Sequence, residues 1–223
     1  VKTEIAILPA QKEILKSTER SALMLGGIGT GKTHTLGLQA IAWASSHPDA
    51  KYMIAANTYT QLMNATIPAI VAVLEEYRVP YRLIKSTADK RLIILNTEFL
   101  LYSLQNYEVI RGIEVGGILG DEICFAKREA YDVIMGRLRD KRGPLQFRGF
   151  SSPNGFTWTH DVFGNILPGE NKKLISAKTS DNIFLPDGYY EDLLHQYGGI
   201  DNPLARQELM GEFVNLTAGA IYW

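Results

Sequence analysis

Hydrophobic and polar positions fall into two registers along this chain, and the changes of register mark its elements. Continuous apolar runs at Ala22–Leu25, Tyr52–Ala56 and Val115–Gly120 predict strands buried on both faces. Shorter strands are predicted at Tyr81–Ile84, Arg91–Leu95, Glu98–Ser103, Leu145–Phe150 and Lys173–Ala177, with a tight turn at Asn96-Thr97. Helical periodicity runs through Lys32–Ser46, where Leu36, Leu38, Ala40, Ile41 and Trp43 are available for packing, and His47-Pro48-Asp49 ends it. Pro9 marks a break before an amphipathic stretch at Ala10–Lys16. Gln61–Tyr77 is helical with a kink or break expected at Pro68. Further helices are predicted at Lys127–Arg139, Thr157–Gly164, Pro186–Tyr197 and Pro203–Met210, with an extended tail from Gly211. Strands alternating with helices predict an α/β fold with a mainly parallel sheet covered on both faces. We read residues 1–223 as one domain with a C-terminal helical extension from about residue 180.

Between the strand at Ala22–Leu25 and the helix from Lys32 lies Gly26-Gly27-Ile28-Gly29-Thr30-Gly31-Lys32-Thr33, which fits G-x-x-x-x-G-K-[ST]. Glycines let backbone N–H groups turn inward around a triphosphate, where a Cβ would clash. The helix start adds unsatisfied N–H groups and the positive end of its dipole. Lys32 is placed to reach the β- and γ-phosphates, Thr33 to ligate Mg²⁺, and His34 follows directly on the helix. The run Val115–Gly120 then delivers Asp121 and Glu122 to a strand's carboxyl end, where open α/β sheets bind ligands. Asp121 is the candidate Mg²⁺ holder, directly or through water, and Glu122 the candidate that polarises the attacking water. The acid pair favours hydrolysis over phosphate transfer to a small molecule. No N-K-x-D guanine motif and no L-S-G-G-Q signature is present.

Composition narrows the partners. With 46% hydrophobic and 21% charged residues the chain can bury a full core, and its net charge of −1 confines any nucleic-acid contact to a local patch. The single Cys124 excludes an internal disulfide, and the four histidines, His34, His47, His160 and His195, are too scattered for a structural metal site. No apolar run approaches the ~20 residues of a membrane span, and no signal peptide is expected.

Several ordered features together resemble the ATPase domain of viral large terminases, the motors that package double-stranded DNA. Gln11 stands in LPAQKEIL, Arg111-Gly112 precedes the Asp121-Glu122 strand, and SSPNG occupies 151–155. Ser180-Asp181-Asn182 and the run RQELMGEFV at 206–214 complete the pattern. The resemblance implies a P-loop NTPase of the type with an added central strand and a catalytic glutamate (ASCE), using ATP and Mg²⁺. It implies that Gln11 reads the adenine, that the SSPNG motif, with Ser151, Ser152 and Asn154 as candidate sensors, answers γ-phosphate loss, and that Arg111 is an arginine finger offered to a neighbouring subunit. Arg137 and Arg139 are the second candidates for that finger. It further implies double-stranded DNA, a portal protein and a small terminase subunit as partners, a homo-oligomeric ring, and action in the cytoplasm of an infected bacterium. Two departures stand out. Ile28 replaces the basic residue many terminases carry in the loop. The chain also ends at Trp223, where a nuclease domain is expected to begin, so no DNA cleavage is expected of it. Lys85, Lys90, Arg91, Lys141, Arg142 and Arg148 are candidate DNA-backbone contacts. The rival readings are another nucleic-acid translocase on the same core, and a nucleotide-binding regulatory module with little turnover.

Overall fold

The computed structural model describes residues 6–86 and 90–216. Its strands are β1 (Ser21–Gly26), β2 (Tyr52–Ala56), β3 (Tyr81–Lys85), β4 (Lys90–Ile94), β5 (Thr97–Ser103), β6 (Gly117–Asp121), β7 (Gln146–Ser151) and β8 (Lys172–Ala177). They form one sheet in the order β3-β4-β5-β2-β6-β7-β1-β8. The six strands from β5 to β8 are parallel, and β3 and β4 extend the β5 edge as an antiparallel hairpin. The strand inserted between the two motif-bearing strands is β7, with β1 on one side and β6 on the other. Register sets the level of the chemistry: Ala56 pairs with Asp121, Asp121 with Phe150, and Leu25 with Ser151. Gly26, Asp121 and Ser151 therefore finish their strands at the same end of the sheet.

Alternate residues of these strands feed two cores, which is why the runs are apolar throughout rather than alternating. Met24, Ile54, Leu119 and Phe150 face Leu36, Ala40 and Trp43 of α2 (Lys32–Ser46) and Ile70 and Leu74 of α4 (Ile67–Glu76). Leu23, Met53, Ile118 and Phe147 face Tyr131 and Ile134 of α5 (Arg128–Met135) together with Phe163.

Several boundaries moved, each for a physical reason. Pro9 does not break the chain; it opens α1 (Pro9–Lys16) at a first-turn position, where its missing N–H costs nothing. The segment 59–76 divides into α3 (Tyr59–Gln61), a π-helical turn at Leu62–Thr66, and α4, so the irregularity precedes Pro68. Pro68 lacks the N–H for the Asn64 carbonyl and its ring crowds that group, which the wider π turn accommodates. The β4–β5 turn is Leu95-Asn96, with φ of 49° and 72°, while Thr97 already belongs to β5 and is buried. Two consecutive positive φ values give the mirror-image turn that matches strand twist. Residues 104–112, unassigned from the sequence, form a 3₁₀ run, Leu104–Gly112. The helix expected at Lys127–Arg139 stops at Met135, and Thr157–Gly164 contains a π-helical turn, His160–Gly164. At the C-terminal side, α6 (Tyr189–Gln196) and α7 (Pro203–Met210) follow a 3₁₀ turn, Thr179–Asp181. Among the described residues no helix is long and apolar enough to cross a membrane.

A candidate nucleotide site at the carboxyl end of the sheet

The glycine loop leaves β1 and enters α2 with Gly29 and Gly31 at φ of 74° and 77°. A Cβ on Gly27 would lie 2.4 Å from the Glu208 carbonyl, and one on Gly31 would lie 2.6 Å from the Gln11 amide nitrogen. Gly27 accepts only glycine because the Glu208 backbone presses on the loop, and Gly31 because its φ of 77° is left-handed. The Ile28 N–H donates to the Glu208 carbonyl at 2.7 Å, the Thr179 hydroxyl to the Ile28 carbonyl at 2.7 Å, and the Asn182 amide to the Gly29 carbonyl. Within the loop, the Thr30 hydroxyl donates to the Gly27 carbonyl at 2.9 Å. Lys32 is buried, and its Nζ donates to the carbonyls of Gly26 and Gly27 at 2.8 and 2.7 Å. Burial pulls the Lys32 pKa down, against the opposing pull of Glu122 and Asp121. Thr33 stands beside it, half-buried, in the first turn of α2.

Asp121 ends β6 and is buried, its Oδ2 accepting the Thr66 hydroxyl at 2.5 Å. Burial pushes its pKa up to about 6. Glu122, the next residue, adopts left-handed backbone angles, φ 48° and ψ 44°, unusual for a side chain with a Cβ. Three hydrogen bonds hold it there. Its N–H donates to the Phe150 carbonyl at 2.7 Å, and its Oε2 accepts both the Ser151 hydroxyl and the Ser152 N–H at 3.1 Å. Ser151 also receives the Cys124 N–H at 3.1 Å, so buried Cys124 packs into the same corner. The strand end at SSPNG and Glu122 are thus one hydrogen-bonded unit, and Ser152 meets Glu122 directly.

Beside the loop lies a cavity of about 380 Å³, whose lining includes Gln11, Gly31, His34, Glu76, Tyr77 and Phe184. Gln11 is buried, and its amide is used at both ends: Oε1 accepts the Leu8 N–H at 2.8 Å, and Nε2 donates to the Gly31 carbonyl at 3.3 Å. His34 faces Glu76 at 3.6 Å and meets the Tyr77 ring edge-on.

Arg111 is not part of this assembly. It is exposed, and its guanidinium bonds Glu108 of the same 3₁₀ run through Nε at 2.5 Å and Nη2 at 3.1 Å. Arg137 donates to the Arg111 carbonyl, and Arg139 is exposed. The grouping of six DNA-backbone cations needs correction. Arg148 is fully buried and donates to the Ser17, Glu19 and Phe147 carbonyls, Arg142 bonds Asp140, and Lys90 sits 4.1 Å over the Tyr59 ring. Sequence reasoning did not find Thr66, Glu76, Tyr77 or Thr179. A glycine-loop motif carries no signal for the residues that press on it, although Asn182 and Glu208 lay in segments already singled out.

A glycine loop between β1 and α2, an acid pair ending β6, and β7 inserted between those strands define a P-loop NTPase of the ASCE type. The chain belongs to the family described as terminase large subunit, T4likevirus-type, N-terminal, which it matches over residues 23–223. It is 24% identical to a probable terminase large subunit of Enterobacteria phage P7, over 91% of this chain and 45% of that protein. The large terminase of a thermophilic bacteriophage superposes with a TM-score of 0.81 at 19% identity, covering 94% of this chain and 54% of that one. That protein has also been solved with ADP and with ATP-gamma-S. The large terminase ATPase domain of Thermus phage P74-26 gives a TM-score of 0.70 at 19% identity, with 94% of each chain covered. The chain thus spans about half the length of the phage P7 relative and of the large terminase solved with nucleotides.

Proposed function

We propose that this chain hydrolyses ATP with Mg²⁺ and that hydrolysis drives translocation of double-stranded DNA into a procapsid. The observation that carries the reading is the Glu122 carboxylate, fixed by Ser151 and Ser152 at the strand ends beside the glycine loop. The ATP triphosphate is cradled by the loop N–H groups, and Lys32 exchanges its bonds to the Gly26 and Gly27 carbonyls for phosphate oxygens. The Thr33 hydroxyl and the Asp121 carboxylate offer two hard oxygen donors, the set that suits Mg²⁺ when phosphates and water complete its shell. Mg²⁺ bound there would supply charge stabilisation to the phosphates. Glu122 accepts a proton from the attacking water, and its bonds to Ser151 and Ser152 carry the change at the phosphate into β7. The base occupies the cavity beside Gln11, whose amide turns from Leu8 and Gly31 to the adenine edge. Arg111, exposed and with its guanidinium bonded to Glu108, serves the site of a neighbouring copy in a homo-oligomeric ring. The portal protein and the small terminase subunit are the partners of that ring.

The test is phosphate release and nucleotide affinity for the wild type and Glu122→Gln, with Mg²⁺ and with and without double-stranded DNA. We expect a loss of about 100-fold or more in turnover, with nucleotide affinity within about threefold of wild type. Equal turnover in the two proteins removes Glu122 as the base and leaves a nucleotide-binding module.

A further inference from the structure

We infer that Thr66 is a positioning residue for Asp121, held in place by the π-helical turn that precedes α4. This rests on the reading of Asp121 as a Mg²⁺ holder. A serine or threonine inside a helix commonly returns its hydroxyl to the carbonyl four residues earlier. Thr35, Ser45 and Ser46 of α2 all do so, donating to Gly31, Ile41 and Ala42 at 2.7 to 2.8 Å. Thr66 does not. The carbonyl four residues before it, that of Leu62, receives the Ile67 N–H in the π turn, and the Thr66 hydroxyl crosses to Asp121 Oδ2 at 2.5 Å. Both side chains are buried, so no solvent competes for the bond.

The π turn is what aims it. One extra residue per turn displaces everything beyond it by about 100° relative to an uninterrupted helix. Leu62 and Ile67, on either side of Thr66 in the turn, remain in the core while Thr66 faces β6. Pro68 fixes where the turn forms. The helix beyond is anchored against α2: a Cβ on Gly37 would lie 2.9 Å from Val73, and Glu76 faces His34. Since α2 begins with Lys32 and Thr33, the helix that orients Asp121 is packed directly on the helix that presents the other oxygen donor. Residues outside a metal's ligand set that orient the ligands typically change affinity by about 10–100-fold when removed.

The experiment measures the affinity of the wild type, Thr66→Val, Thr66→Ser and Asp121→Asn for a non-hydrolysable ATP analogue, in EDTA and across a Mg²⁺ titration. We expect Thr66→Val to need about tenfold more Mg²⁺ for half its effect, with its metal-free affinity unchanged. Thr66→Ser, which keeps the hydroxyl, should lie within about twofold of wild type. A core defect alone would alter melting without shifting the Mg²⁺ dependence. Should Thr66→Val not fold, Thr66→Ala reads the same loss. A wild-type Mg²⁺ dependence in the valine or alanine variant, with Asp121→Asn impaired, overturns the role of Thr66 and leaves the site standing. If neither the wild type nor Asp121→Asn responds to Mg²⁺, the reading of Asp121 falls and this inference with it.

Discussion

The two ends of the sheet treat their charged groups in opposite ways. Where the strands begin, charges are answered mainly by hydrogen bonds within the chain, although the Arg148 Nε is buried without a partner. Asp140 is buried and accepts the N–H groups of Lys51 and Arg142 and two guanidinium N–H groups of Arg142, at 2.8 to 3.2 Å. Those bonds pull its pKa down to about 2. Arg148 reaches from β7 to the Ser17 and Glu19 carbonyls, and although burial pushes its pKa down to about 10 it stays a cation at neutral pH. Where the strands finish, Asp121 and Lys32 are buried and half-buried Glu122 stands beside them, so desolvation opposes the two buried charges. Asp121 is pushed up to about 6, Lys32 is pulled down, and Glu122 is held in a left-handed conformation. One end uses charge to fix loops; the other gathers Lys32, Asp121 and Glu122 beside the glycine loop, where we propose that a charged ligand binds.

The largest expected effect breaks the satisfied end. Arg148→Met removes the donors to two loop carbonyls at the base of β1, the buried bond to Ser17 and the part-buried bond to Glu19. Losing the partners of buried polar groups costs about 1–3 kcal/mol each. We expect about 3 kcal/mol in total and a fall of roughly 10 °C in melting temperature, read by thermal denaturation. Nucleotide affinity of the folded fraction should be unchanged. An unaltered melting temperature would show that the two ends differ less than their hydrogen bonds imply.

Next is Asp121→Asn, which should stabilise. Between its ordinary value of 3.8 and its folded value near 6, the native state holds a proton that the unfolded chain has released. Stability contributed by this group therefore falls as pH rises through that window, and the full penalty stands above pH 6. Asparagine removes the penalty while still accepting the Thr66 hydroxyl. Denaturant titrations should show the variant about 2 kcal/mol more stable at pH 8, with no difference below pH 4, while Mg²⁺-dependent turnover is lost.

The sequence foretold these two ends unequally. The glycine loop, its flanking strand and helix, and the acid pair were all legible, because phosphate binding and buried parallel strands each impose a local pattern. Tyr52–Ala56 and Lys32–Ser46 fall where periodicity put them. The satisfied end was misread: Arg148 looked like one more dispersed surface cation, and its buried role depends on carbonyls some 130 positions away. Thr66 was silent for a related reason. Nothing local distinguishes a threonine that bonds its own helix from one that crosses to a strand 55 residues later. Pro68 did signal an irregularity, but the strain is relieved on its N-terminal side, where the π turn forms. The cavity beside Gln11 depends on Glu76 and Tyr77 arriving from the far end of α4, a tertiary fact with no short-range trace.

The smallest effect is also the sharpest comparison, because it repeats the Asp121 substitution at the other end. Asp140 has a depressed pKa, so here the unfolded chain is the better proton binder between about pH 2 and 3.8. Its contribution is present in full above that window and disappears as pH falls through it. Asp140→Asn should therefore destabilise at pH 7. The Arg142 side chain that lowers the pKa is 59% exposed, so solvent screens much of the pair, and we expect about 1 kcal/mol rather than the full value of the shift. Near pH 2 the variant and wild type should melt together. The same change of one oxygen for one nitrogen thus has opposite signs at the two ends of one sheet at neutral pH. Matched denaturant titrations at pH 7 decide it: if both asparagine variants shift stability in the same direction, the charges at the two ends are not held for different purposes.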